Sequence, residues 1–191
     1  MSLEKIKLEA ISQFAEKGFD GTSIKDITKI VGVTPPALYA HFKSKEQMFI
    51  DILSECLENL INDVDRIINA PSANVCRKLF QIYCFYIGEL TSFKPEIILL
   101  VRSSMFPCES IRDKTKSMVL DVHRKVGAGI RALIEEGIDQ KLIKALPVES
   151  IYKQFYRLIT AHVYEVFSFN STISEEEKKI QWEEFWSSIK Y

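Results

Sequence analysis

The chain has 191 residues, of which 47% are hydrophobic and 27% charged, with a formal net charge of -1 at pH 7. That apolar content is enough for a real core in one large domain or two small ones, and the charge excludes a globally basic chain held to nucleic acid by bulk electrostatics. Residues 1–50 carry seven Lys/Arg against six Asp/Glu, a balance of +1 that leaves -2 for the rest, so any binding of an acidic partner must come from local placement.

Leu3 to Lys17 sets Leu3, Ile6, Ala10, Phe14 and Ala15 on one stripe with Ile11 beside it, the period of an amphipathic helix, and Gly18 stops it. Phe19 is expected to fold back onto a small core with Ile27, Leu38 and Phe42. Thr22 or Ser23 is the N-cap of a second helix, with Asp26 in the capping-box region and Ile24, Ile27, Ile30 and Val31 on its apolar face. Gly32 supplies the positive φ that ends it, and Val33 plugs the turn. Thr34 can cap a third helix that runs to Phe42, with Pro35 and Pro36 in its first turn, where a missing N–H costs nothing. Leu38 and Phe42 face inward there, leaving Ala37, Tyr39, Ala40 and His41 outside. Two short helices joined by a glycine turn make a helix-turn-helix, and the second has the size and polar tips to enter a DNA major groove.

Ser44 and Gln47 have capping-box spacing and open a long helix from Lys45 to Ile68, roughly 35 Å of continuous structure that can carry a displacement. Pro71-Ser72 breaks the chain. Further helices are expected over Ala73–Phe93, from Lys94-Pro95 to about Phe106, and over Glu109–Glu136, where Gly127 and Gly129 mark a close approach or a bend. After a loop to Pro147 come helices from Val148 to about Phe169 and from Ser174 to about Ile189, the latter opened by a Ser174/Glu177 capping box. No strand pattern or internal repeat occurs. The expected fold is all-α, with about nine helices.

The run GFDGTSIKDITKIVGVTPPALYAHFKSKEQMF, from Gly18 to Phe49, resembles the DNA-binding domain of the TetR (tetracycline-repressor) family. Its most specific parts are Gly21-Thr22-Ser23, Ile24 to Ile27, Gly32-Val33, and Leu38 through Glu46. The resemblance implies a helix-turn-helix domain over residues 1–46 and a helical ligand-binding and dimerisation domain over 47–191. It implies a homodimer on a roughly palindromic double-stranded DNA operator, with Thr34, Pro35, Ala37, Tyr39 and His41 on or beside the recognition helix. Thr22, Ser23 and Lys45 would lie near the phosphates. Pro35-Pro36 departs from the small or polar residues usual at that helix start, so the base sequence read does not follow from the family.

Beyond residue 50, aromatic and sulfur-bearing side chains are dense, which is how apolar small-molecule cavities are lined and also how helical cores are built. Helical stripes nominate Tyr83, Tyr86, Met118, His123 and Phe155 for a small hydrophobic or aromatic ligand. By resemblance the last two helices form the dimer interface through Tyr152, Tyr156, Ile159, Val163 and Phe167 on one and Trp182, Phe185 and Trp186 on the other; two tryptophans on one short helix are hard to bury in a small monomer. The alternative is that these faces are subunit core.

Catalysis finds no support: the three histidines, 41, 123 and 162, lack metal spacing, and no glycine-rich phosphate loop occurs. Cys56, Cys76, Cys84 and Cys108 form no CxxC pair, so free thiols are expected, with no metal and no cofactor. Charged residues interrupt every apolar run, so a cytoplasmic chain without a membrane span is expected. The reading is a ligand-responsive repressor; an activator, or a docking protein with the same DNA-binding domain and no inducer, is the alternative.

Overall fold

The computed structural model describes residues 3–71, 74–169 and 171–191. Among these the chain is all-α: α1 Leu3–Gly21, α2 Ile24–Val31, α3 Pro35–Tyr39, α4 Lys45–Ile68, α5 Val75–Thr91, α6 Pro95–Met105, α7 Arg112–Asp139, α8 Val148–Phe169 and α9 Glu175–Ile189, with a 3-10 turn, Glu109–Ile111, before α7. The expected break and helix start at Ser72 and Ala73 lie outside the described residues; Asn74 caps α5 by accepting from the Arg77 N–H at 2.9 Å. α9 opens with the expected capping box, Glu177 N–H to Ser174 Oγ at 3.1 Å and Ser174 N–H to Glu177 Oε2 at 2.8 Å. At α4 only half of the box forms: Gln47 N–H reaches Ser44 Oγ at 3.0 Å, but the Gln47 amide turns forward to Asp51 at 2.6 Å. No described helix is long and apolar enough to cross a membrane.

The chain divides into two compact units: residues up to Leu60 with Lys94–Val122, and Ile61–Phe93 with His123–Tyr191. α4 and α7 each contribute to both. These units cut the chain differently from a division into 1–46 and 47–191, because α6 packs with α1.

In the first unit, Ile6, Ala10, Phe14, Ile27, Leu38 and Leu99 are at most 4% exposed and anchor one core, whereas Leu3 stands 38% exposed. Phe19 packs on this core, stacked on Phe14 at a centroid distance of 6.2 Å and edge-on to Phe49 at 5.3 Å. α1 does not end cleanly at Gly18. That residue takes φ 73°, and one more helical turn follows to Gly21. The kink frees carbonyls at the end of α1, and Arg102 of α6 collects two of them, its Nη1 donating to Ala15 O and Glu16 O at 2.8 Å each.

In the second unit, α5, α8 and α9 pack together around aromatic rings. Trp182 lies against Phe80 (5.2 Å), Tyr83 (6.1 Å) and Phe185 (5.5 Å), and Phe155 against Phe185 (5.6 Å). This corrects the expectation about the tryptophans: Trp182 is 5% exposed within one subunit, while Trp186, half-buried, stacks on it at 5.8 Å. Gly127 allows the close approach expected of it, because a Cβ there would meet the Tyr152 hydroxyl at 2.8 Å. The chain end pairs with the 142–144 loop through an isolated bridge, Ile143 to Lys190.

Candidate nucleic-acid interface

Ser23 caps α2, its Oγ accepting from the Asp26 N–H at 3.1 Å, which leaves the hydroxyl proton to donate outward. The buried face of α2 is Ile27 and Thr28, with Ile24 and Val31 half-buried; Ile30, placed inward by its sequence, is 58% exposed. The i, i+3, i+4, i+7 set from Ile24 is completed by Thr28, and Thr28 loses little by burial because its hydroxyl donates to Lys25 O at 3.1 Å. Gly32 then turns the chain at φ 77°, with the N–H groups of Gly32 and Val33 both returning to Thr28 O at 2.9 and 3.0 Å.

α3 is shorter than expected, Pro35–Tyr39, and its last turn continues through His41 N–H to Leu38 O (2.9 Å) and Phe42 N–H to Leu38 O (3.1 Å). Thr34 occupies the N-cap but makes no side-chain cap bond. Pro35 and Pro36 have no N–H to offer it, and the Ala37 N–H is taken by the Thr34 carbonyl at 3.0 Å. Leu38 (0% exposed) and Phe42 (4%) anchor the helix from beneath. Thr34, Pro36, Ala37, Tyr39 and His41 therefore stand outward together, with Pro35 half-buried and Tyr39 49% exposed. Lys25, Lys29 and Lys43 are exposed on the flanking turns. The result is an apolar-anchored ridge that presents a hydroxyl, a phenol and an imidazole beside exposed ammonium groups, a surface suited to phosphates and base edges.

Two expected phosphate contacts have other employment. Thr22 is 2% exposed, and its hydroxyl is shared between Gly18 O (2.8 Å) and Gln13 O (3.0 Å), so it ties the α1 kink together. Lys45 is half-buried; its Nζ donates to Phe19 O at 2.9 Å and Thr22 O at 3.0 Å and sits 4.3 Å from the Phe19 ring centroid. Both residues build the corner that carries α2.

The ligand candidates are divided between the two units. Met118 belongs to the first unit, whereas Tyr83, Tyr86, His123 and Phe155 belong to the second. Tyr83 is fully buried, with its hydroxyl 3.1 Å from His162 Nε2 and its pKa pushed up to about 12 by burial, so it is a protonated core phenol. Phe155 is core as well, at 1% exposure. Tyr86 and His123 are half-buried, and His123 meets the Tyr156 ring edge-on at 4.8 Å. Of the interface candidates, Tyr152, Ile159, Trp182 and Phe185 are buried inside the subunit, which corrects their assignment to a surface. Tyr156 (42%) is exposed, and Val163, Phe167 and Trp186 are half-buried. No cluster of three or more metal-ligating side chains occurs among the described residues.

Residues 8–52 match the family profile described as bacterial regulatory proteins, tetR family. The negative transcriptional regulator IcaR of the biofilm operon icaADBC from Staphylococcus aureus strain Newman is 41% identical over 59 residues, covering 31% of this chain and 32% of that protein. The chain thus matches about a third of the length of the curated relatives. Among solved structures, the transcriptional regulator FadR from Bacillus subtilis in complex with stearoyl-CoA superposes with a TM-score of 0.78 at 18% identity, over 98% of this chain and all (100%) of that one. The fatty acid degradation regulator FadR from Bacillus halodurans gives 0.75 at 15% identity, over 95% and 93%. At these identities the superpositions show the shared helical fold. With a helix-turn-helix whose outward ridge rests on Leu38 and Phe42, and with the profile matching that segment, residues 8–52 carry the helix-turn-helix of the tetR-family bacterial regulatory proteins.

Proposed function

We propose that the chain is a DNA-binding transcriptional repressor that acts as a homodimer on a roughly two-fold operator and is released by a small molecule with a hydrophobic or aromatic body. The observation that carries this reading is the α3 ridge: Thr34, Ala37, Tyr39 and His41 outward, Leu38 and Phe42 inward. Ser23, at the α2 N-terminus, adds an exposed hydroxyl where helix N–H groups favour an anion. The similarity to IcaR, a negative regulator, supports repression.

Dimerisation is supported by α8, where Tyr156 (42% exposed) and Tyr164 (60%) share a face with half-buried Val163 and Phe167. Two such faces, related by a two-fold axis, would bury aromatic anchors of the kind found at interface centres. The stearoyl-CoA bound by the similar B. subtilis regulator supports an effector with an apolar body. α4 begins next to α3 and continues into the second unit, so it is the element through which an effector there would act on the operator half-sites. By linkage, operator DNA must then weaken effector binding by the factor with which effector weakens DNA binding.

The test is a gel shift on DNA from upstream of the chain's own gene, at two salt concentrations, with wild type and Tyr39→Ala. Salt-sensitive, sequence-specific binding by the wild type that weakens about tenfold in the variant is expected. Equal retardation of specific and scrambled DNA would refute the reading.

A further inference from the structure

The two prolines of α3 leave its first turn without free donors. Pro35 and Pro36 have no N–H, and the N–H groups of Ala37 and Leu38 both return to Thr34 O, at 3.0 and 3.2 Å. What the ridge reads, it must read with side chains, and their placement follows from the one that is buried. At about 100° per residue, Pro36 and Ala40 lie within about 20° of the direction opposite Leu38, with Ala37 and Tyr39 on the two flanks. The Ala40 N–H reaches Pro36 O at 3.0 Å, so one full helical turn joins that pair. Pro36, Ala37 and Ala40 are all exposed. The outermost face of the ridge therefore carries a pyrrolidine ring and two methyl groups, while Thr34, Tyr39 and His41 bring polar atoms to its edges. Its surround is cationic. Lys25, Lys29 and Lys43 stand exposed on the neighbouring turns, in a chain whose net charge is -1. A partner that is anionic at its rim and apolar within fits both features. The DNA major groove is such a partner: phosphates border it, and the C5 methyl of thymine is the apolar group that its base edges present.

We propose that the Pro36, Ala37 and Ala40 face selects thymine, so that the centre of each operator half-site is specified by methyl contacts. Guanine and adenine are read by the paired polar atoms of Arg, Lys, Asn or Gln, and none of these stands on the face. Pro36 and Ala40 are about 6 Å apart along the helix, close to two base steps of about 3.4 Å, so two thymines per half-site are expected. The inference deepens the DNA-binding reading and rests on it.

The test begins with half-sites selected from random duplexes by the full chain. Each thymidine of the selected operator is then replaced in turn by deoxyuridine, which keeps every hydrogen-bonding group and removes only the methyl. Uracil at two positions of each half-site should weaken binding about fourfold, the effect of one buried methyl, and should be tolerated elsewhere. Pro36→Ser and Ala40→Ser change exposed positions and should melt like the wild type. Each should abolish the uracil penalty at one of the two positions and keep it at the other. Uniform tolerance of uracil in a specific operator overturns the methyl readout and leaves the DNA-binding reading standing. So does a half-site whose essential base pairs are all G·C. Uracil penalties that neither folded serine variant alters place the methyl contact on another element and overturn the proposal too. Failure to enrich any sequence removes the DNA-binding reading itself, and this inference with it.

Discussion

Lys45 separates a phosphate contact from a structural clip, and Lys45→Met tests which it is. Methionine keeps most of the stem and removes the ammonium, with its bonds to Phe19 O and Thr22 O and its place 4.3 Å from the Phe19 ring. Hydrogen bonds from a charged donor contribute about 1.5–3 kcal/mol each and a cation–π contact about 0.5–1 kcal/mol when exposed. The two bonds share one half-exposed charge that water also solvates, so the sum is discounted to about 1–2 kcal/mol. For a chain of 191 residues that is a fall in Tm of roughly 2–8 °C. DNA binding gives the second readout. Each phosphate neutralised adds about 0.9 to the slope of log K against log salt. Lys45→Met should leave that slope unchanged, even if the altered corner lowers affinity, whereas Lys43→Ala, at an exposed position, should reduce it by about one. A variant with wild-type Tm and a slope lower by one would refute the clip and restore Lys45 as a phosphate contact.

Gly32→Ala meets no atom within 4 Å but forces a side chain into φ 77°, so a loss of about 1–2 kcal/mol is expected in urea melts, with Gly32→Asn losing less. Tyr83→Phe leaves His162 Nε2 without its buried phenol partner at 3.1 Å and should cost about 1–3 kcal/mol by the same measurement. Trp182→Ala should cost about 3–5 kcal/mol by opening the subunit core, whatever the dimer does; a loss that disappears on dilution to monomer would return Trp182 to the interface. Burial raises the Cys56 thiol to about 11, so at pH 8 it stays protonated and should label with a thiol reagent only on the timescale of unfolding.

Much of the scaffold was legible because helix ends are written locally. Ser44 and Ser174 sit where hydroxyls meet orphan N–H groups, Gly32 where only a left-handed turn closes α2, and α4 and α8 run over the residues that apolar periodicity marks. The α3 ridge was legible for the same reason, since Leu38 and Phe42, four residues apart, decide what faces out. What sequence misplaced depends on partners distant in the chain. Ile30 lost the inner face of α2 to Thr28 because a threonine can satisfy its own hydroxyl on the helix backbone. Trp182 is buried because Phe80 and Tyr83 of α5 and Phe185 of the next turn of α9 converge on it, which composition does not reveal. For Arg102 the sequence carries one sign, a single arginine in the run IILLVRSSM, which something polar must meet.

The roles of Thr22, Lys45 and Arg102 share a cause at one corner of the first unit. The positive φ of Gly18 interrupts α1 and releases its carbonyls, and buried carbonyls must be paired. Arg102 takes those of Ala15 and Glu16, Thr22 takes those of Gln13 and Gly18, and Lys45 takes those of Phe19 and Thr22. Three side chains from different parts of the sequence thus hold one kink, and the kink fixes where α2 starts. A motif position can therefore identify the fold without touching nucleic acid. If Thr22 and Lys45 act as clips, as their bonds to Gln13, Gly18, Phe19 and Thr22 carbonyls support, removing either should blur the placement of α2 and α3 rather than change the bases preferred. We propose that base preference rests on the outward side chains Tyr39, His41, Ala37 and Thr34, on a helix whose two prolines remove the donors that a different N-terminal turn would offer.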